Sequence, residues 1–87
     1  MARYRLVVKK SVAKDLDGVP KKDVLRILAA IQSLADNPRP AGAKKLSGQA
    51  RYRLKQGHYR ILYEIEDNKL IVCVVKAGHR KDIYKEM

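Results

Sequence analysis

Apolar and polar positions alternate with period two over residues 2–8, Ala-Arg-Tyr-Arg-Leu-Val-Val. As a strand this places Tyr4, Leu6 and Val8 on one side and Arg3, Arg5 and Val7 on the other. The period then changes. Val12 and Leu16 stand at i, i+4 in a short amphipathic turn over residues 9–16, and Gly18 stops it. Pro20 suits the first turn of a second helix, where its missing N–H leaves no partner wanting. Over residues 20–36, Val24, Ile27, Leu28, Ile31, Leu34 and Ala35 recur at steps of three and four and form one broad apolar stripe. A chain this short has few other apolar surfaces, so the stripe is expected to pack on a sheet of the same chain. Asn37-Pro38-Arg39-Pro40 ends the helix, because a residue before proline is pushed out of the α region. Residues 41–49 read as a loop that carries Lys44-Lys45.

Period two returns in three stretches, about residues 50–56, 58–66 and 69–77. In the first, Arg51, Arg53 and Lys55 alternate with Tyr52 and Leu54. Gln56-Gly57 is expected to form a two-residue hairpin loop, which sets Lys55 opposite His58 and Arg53 opposite Arg60. Like charges facing each other on a sheet cost on the order of a few tenths to 1 kcal/mol. Such a pair invites an anion between its guanidiniums, a phosphate being the simplest. In the next strand Tyr59, Ile61, Tyr63 and Ile65 share one face, and His58, Arg60, Leu62, Glu64 and Glu66 the other. A tight turn at Asp67-Asn68 would set Glu66 opposite Lys69 and Leu62 opposite Cys73. The last strand is apolar on both faces, as a strand covered on both sides would be. After Gly78 the chain is expected to end in a short helix or tail. The fold class is α+β, in the order β-α-α-β-β-β. Residues 1–87 make a single domain: one mostly antiparallel four-stranded sheet, with a helical hairpin on the face of Tyr52, Leu54, Tyr59 and Ile61.

Charge adds direction to this outline. Twenty Lys+Arg against nine Asp+Glu give a net charge of +11 on 87 residues. Such a chain repels itself and seeks polyanions, nucleic acid first and an acidic protein next. One cysteine, Cys73, excludes an internal disulfide and suits a reducing cytoplasm. The sequence has no apolar run of the ~18 residues a membrane helix needs, and its first residues lack a signal-peptide pattern. No metal constellation, Gly-rich phosphate loop, dinucleotide fingerprint or nucleophile elbow is present, so no cofactor is expected. What remains is a cation-rich sheet face with Arg51, Arg53, Lys55, His58 and Arg60, and a tail with His79, Arg80, Lys81 and Tyr84.

The order of elements, with Lys44-Lys45-Leu46-Ser47-Gly48 ahead of the second strand, resembles the RelE/ParE toxin superfamily. Further matches are Tyr52-Arg53-Leu54-Lys55, Tyr59-Arg60-Ile61-Leu62-Tyr63, and Gly78-His79-Arg80 with Tyr84 after it. The likeness covers essentially the whole chain. It implies a RelE-type mRNA interferase, the toxin of a type II toxin–antitoxin system. Such a toxin is a cytoplasmic, metal-independent endoribonuclease that cuts mRNA in the ribosomal A site and inhibits translation. Its implied partners are mRNA, the ribosome with its rRNA, and an acidic RelB-like antitoxin that wraps around it.

Carried over by position, the resemblance puts Lys55 near the attacking 2′-hydroxyl, with Arg53 as a neighbouring strand cation. Arg60 would hold the scissile phosphate, Arg80 would lie near the leaving 5′-oxygen, and Tyr84 would stack on or orient a base. Lys44, Lys45, Arg51, His79 and Lys81 are expected to contact substrate. The proton donor to the leaving group is either Arg80 or His79, the imidazole having the more suitable ordinary pKa for general acid work. A lysine is a poor base at neutral pH unless nearby cations favour its neutral form. Two alternatives share the outline: a ParE-like DNA gyrase inhibitor, and an RNA-binding module without catalysis.

Overall fold

The computed structural model describes residues 3–46 and 50–84. The elements run β1 (Arg5–Val8), α1 (Lys10–Asp15), α2 (Lys21–Ser33), β2 (Ala43–Lys45), β3 (Arg51–Gln56), β4 (Tyr59–Glu66), β5 (Ile71–His79) and α3 (Arg80–Tyr84). The α+β class and the expected element order hold. The sheet has five strands rather than four, in the order β1-β5-β4-β3-β2. β1 runs parallel to β5, and the other pairs are antiparallel. The additional strand is β2, in the stretch expected to be loop. Three residues are too few for a period to show, and β2 is held by its pairing to β3 rather than by its own composition. Ser47, Gly48 and Gln49 of that expected loop lie outside the described residues.

Two apolar layers sandwich the sheet. On one face Val12 of α1 and Ile27, Ile31 and Leu34 from the second helical segment pack on Leu54, Ile61, Tyr63, Val72, Val74 and Ala77. Tyr52 and Tyr59 border this core, as the alternation in β3 and β4 demands. α2 itself ends at Ser33, and i→i+3 bonds from Leu34 and Ala35 tighten the chain beyond it. Not all of the stripe is buried. Leu28 is 41% exposed; with Val8, Val12, Leu16 and Val24 it borders a shallow groove between α1 and α2. On the other face Ile83 of α3 packs on Leu62 and Val75. The C-terminal segment is therefore a short helix docked on the sheet, which explains why β5 is apolar on both sides. No helix among the described residues is long and apolar enough to cross a membrane.

Both hairpins differ in register from the sequence reading. β3 and β4 turn at Gly57-His58, so Gln56 pairs with Tyr59 and Lys55 with Arg60. Gly57 has φ +59° and takes the first of the two turn positions, as type II′ hairpins require. Arg53 consequently faces Leu62 and Lys44, not Arg60. Between β4 and β5 the turn is a 3-10 turn, Asp67–Lys69, closed by Leu70 at φ 53°. Glu66 thus pairs with Ile71, and an irregularity at Leu62/Tyr63 leaves Leu62 opposite Lys76 and Glu64 opposite Cys73.

A polar clasp ties these loops together on the helix side. Asp67 accepts hydrogen bonds from Tyr4 Oη (2.7 Å) and from both terminal nitrogens of Arg39 (2.9 and 3.2 Å). Arg39 Nε donates to Tyr52 Oη at 3.1 Å, and the guanidinium lies 5.3 Å from the centre of that ring. The Tyr63 hydroxyl donates to Pro38 O at 2.7 Å, and burial pushes its pKa up to about 12. Hydrogen bonds from Arg39 and then Tyr4 hold the Asp67 carboxyl below the ordinary carboxylate range. A depressed folded-state pKa means the clasp stabilises the protein above the ordinary aspartate value and is lost as pH falls through the folded one. Asp67→Asn should lower the urea midpoint at pH 6. The gap to wild type should then shrink below 3.8, the ordinary value for this carboxyl. A gap that stays constant down to pH 2.5 would remove Asp67 from the acid response.

Candidate functional site

The cations of β3 and β4 cover the sheet face opposite α1 and α2. Rows across the strands define their neighbours. Lys44, Arg53 and Leu62 form one row; Lys55, Arg60 and Gly78 form the next, nearer the hairpin tip. Directly opposed residues have Cβ atoms about 5 Å apart. Lys55 and Arg60 are therefore the like-charge pair, one exposed and the other buried, with Arg60 5% exposed.

Arg60 is held by the hairpin itself. Its Nη1 donates to Gly57 O at 2.9 Å and to Tyr59 O at 2.8 Å. A guanidinium carries five N–H donors. Nε and Nη2 have no partner among the described residues, where no buried side-chain polar atom lacks a hydrogen bond. Those nitrogens consequently reach solvent. The guanidinium is thus fixed on one side, while the donors of Nε and Nη2 stay free for an oxyanion at the edge of a side chain that is otherwise buried.

Arg80 opens α3 two residues after Gly78. Its backbone N–H donates to His58 O at 2.8 Å, tying the helix start to the hairpin turn. Ile83 then fixes α3 against Leu62 and Val75 on this face. Arg80 so arrives, exposed, at the end of the sheet that carries Lys55 and Arg60. Among the described residues none of Lys44, Arg53, Lys55, Arg60 and Arg80 has a carboxylate partner. The result is a compact cationic surface on a rigid hairpin, suited to a polyanion and to charge that develops on a phosphate.

Other residues singled out in the sequence lie elsewhere. Arg51 is on the same face but engages Glu64 through Nη2 (3.2 Å) and Nε (3.4 Å). Lys45 pairs with Tyr52, in a row of the opposite face. His79 pairs with Tyr59 on the helix side, its ring edge-on to Tyr59 at 5.8 Å. It lies across the sheet from Arg60, because one strand position separates it from Gly78. Lys81 is exposed on α3, and its backbone N–H donates to His79 Nδ1 at 3.2 Å. Tyr84 is the last described residue of α3, and its side chain lies outside the described residues. Among the described residues no three His, Cys, Asp or Glu side chains cluster as a metal site.

A family model for the ParE toxin of type II toxin–antitoxin systems, parDE, matches residues 6–84. Toxin RelG of Mycobacterium tuberculosis is 32% identical to the chain, the match covering 83% of this chain and 85% of RelG. The archaeal RelE–RelB complex from Pyrococcus horikoshii OT3 contains a chain of similar structure. There the TM-score is 0.79 and the identity 29%, over 92% of this chain and 97% of that one. A chain in the RelB–RelE antitoxin–toxin complex from Methanococcus jannaschii gives 0.73 and 27%, over 93% and 98%.

Proposed function

The chain belongs to the ParE toxin family of type II toxin–antitoxin systems, within the RelE/ParE superfamily, and we propose that it acts as a RelE-type mRNA interferase. In this reading it cleaves mRNA in the ribosomal A site, in the cytoplasm, and so stops translation. The observation that carries the reading is the Lys55–Arg60 pair, with Arg60 anchored by hairpin carbonyls and the backbone of Arg80 tied to the same hairpin turn.

The chemistry follows from those positions. Lys55 takes the proton from the 2′-hydroxyl, whose oxygen attacks the neighbouring phosphorus. The P–O5′ bond breaks, the departing 5′-oxygen takes a proton from water, and the products are a 2′,3′-cyclic phosphate and a 5′-hydroxyl. Arg60 holds the non-bridging oxygens, where charge grows in the transition state, and Arg53 adds to the field from the next row. Arg80 hydrogen-bonds the departing 5′-oxygen; His79 is on the wrong face to reach it, which favours Arg80 of the two donors considered. Tyr84 stacks on a base near the cut. The chain is restrained by an acidic RelB-like antitoxin. Its net charge of +11 favours such a partner, and two of its structural relatives were solved bound to RelB.

Primer extension on an mRNA, with and without translating ribosomes, tests this directly. Expected are cuts in the translated region that require ribosomes and leave cyclic-phosphate ends. The family model's ParE description favours one competing reading, inhibition of DNA gyrase. Inhibition of supercoiling by purified gyrase, with no RNA scission, would establish that reading instead. Salt-sensitive RNA binding without scission would reduce the protein to a binding module.

A further inference from the structure

A second concavity lies on the helix side of the sheet, at the same end as the Lys55–Arg60 pair. Asp23 and Arg26 of α2, Gln56 and His58 at the hairpin, Tyr59 of β4 and His79 of β5 line a cavity of about 370 Å³. That volume is in the range, about 300–1,000 Å³, of small-molecule sites. None of the cationic residues invoked for cleavage is part of it.

Its walls are flat rings. The His58 and His79 imidazoles are 6.3 Å apart between centres and 17° from parallel. Tyr59 meets His79 edge-on, at 81°. Hydrogen bonds hold the wall residues from behind. His58 O accepts the Arg80 N–H, and Tyr59 Oη donates to Asp23 Oδ2 at 3.3 Å. His79 Nδ1 accepts the Lys81 N–H, so the neutral imidazole carries its own hydrogen on Nε2. The polar rim has one carboxylate, one guanidinium and one amide, contributed by Asp23, Arg26 and Gln56. A phosphate site would be cationic; this rim is balanced. It offers acceptors and donors to the edge of a neutral planar ring.

We infer that this cavity binds an unstacked nucleobase of the RNA, with His58 and His79 as stacking faces and Asp23, Arg26 and Gln56 on the base edge. Single-stranded RNA is commonly read this way, by rings on the base face and polar groups on its edge. The cavity and the cationic surface share the turn Gly57-His58 and the β5–α3 junction. A strand whose phosphate lies on Arg60 can pass round this tip and lay a neighbouring base on the helix side. The assignment of the ligand as RNA rests on the nuclease reading above.

The chain has two histidines, and both line the cavity, so their ring resonances report on it without interference. Titration with the four nucleoside 5′-monophosphates, followed by NMR, should shift both rings saturably. Ribose 5-phosphate should leave them in place. His58→Ala, at an exposed turn position, should weaken nucleotide binding roughly tenfold, the size of one lost base stack. Equal shifts with ribose 5-phosphate would mark an anion site and overturn the inference, as would unmoved histidine rings at millimolar nucleotide. The titration involves no cleavage. Nucleotide binding without scission would sink the nuclease reading and keep the base pocket; scission without binding would do the reverse.

Discussion

Arg60→Ala is expected to lower the rate of mRNA cleavage by roughly 100- to 1,000-fold, the loss seen when one group that stabilises an oxyanion is removed. The loss should come with little change in stability. The substitution removes two hydrogen bonds to Gly57 O and Tyr59 O, each worth about 1 kcal/mol net. It also relieves the cross-strand repulsion from Lys55, which costs up to about 1 kcal/mol. The released carbonyls belong to the hairpin tip, where water replaces the lost donors. A thermal melt lowered by only about 4–8 °C, the shift that a net loss of about 1 kcal/mol gives in a domain this size, beside a nearly silent primer-extension lane, is the expected pair of results. Arg60→Lys is the sharper control. An ammonium keeps the charge but lacks the planar fork that grips the hairpin while presenting donors outward. It should restore substrate binding at low salt and leave most of the rate missing. Wild-type cutting by Arg60→Ala would remove the hairpin from the mechanism.

How the chain announces this site depends on which residues carry their own period. Tyr52, Leu54, Tyr59 and Ile61 alternate strictly, so their placement under the helices, and that of Arg53, Lys55 and Arg60 on the opposite face of the sheet, is legible in the sequence alone. The face was readable; the partner across it was not. Moving the turn from Gln56-Gly57 to Gly57-His58 keeps every side chain on its face, yet replaces Arg53 by Lys55 opposite Arg60. The preference of type II′ turns for glycine in the first position was the available signal. Contacts between distant segments left no such mark. Arg39 and Asp67 look like ordinary loop charges until Tyr4 and Tyr52 are brought beside them. His79 follows Gly78 in sequence, but only the pairing with Tyr59 reveals that it faces α2, away from Arg80's neighbours. The base cavity is similarly invisible, because its walls come from α2, the hairpin and β5. β2 is too short to declare itself by pattern at all.

Ile83→Ala should separate the two apolar layers, and with them folding from function. Ile83 is fully buried against Leu62 and Val75, while the larger core around Ile27, Ile31 and Tyr63 lies on the other side of the sheet. Truncating a buried isoleucine to alanine costs about 2–5 kcal/mol. α3 spans five described residues, Arg80–Tyr84, far fewer than a helix needs to persist alone in water. A loss of that size exceeds what holds so short a helix in place, so the response should be local: α3 undocks while β3, β4 and β5 remain paired. In hydrogen exchange, the Arg80 amide, which donates to His58 O, should lose protection. The amides of Tyr63 and Val74, a central pair of β4 and β5, should keep theirs. Cleavage should fall to the level of Arg80→Ala, because both variants take the same guanidinium away from the phosphate. Ile83→Val, with one methylene fewer, should cost only about 1 kcal/mol and leave α3 docked. Retained Arg80 protection in Ile83→Ala with full cutting would mean that α3 is held by other contacts. Global unfolding would mean that the small layer belongs to the same cooperative unit as the large one. The expected result, a folded sheet without activity, requires that Arg80 works only while a hydrophobic residue three positions later holds its helix against the cationic face.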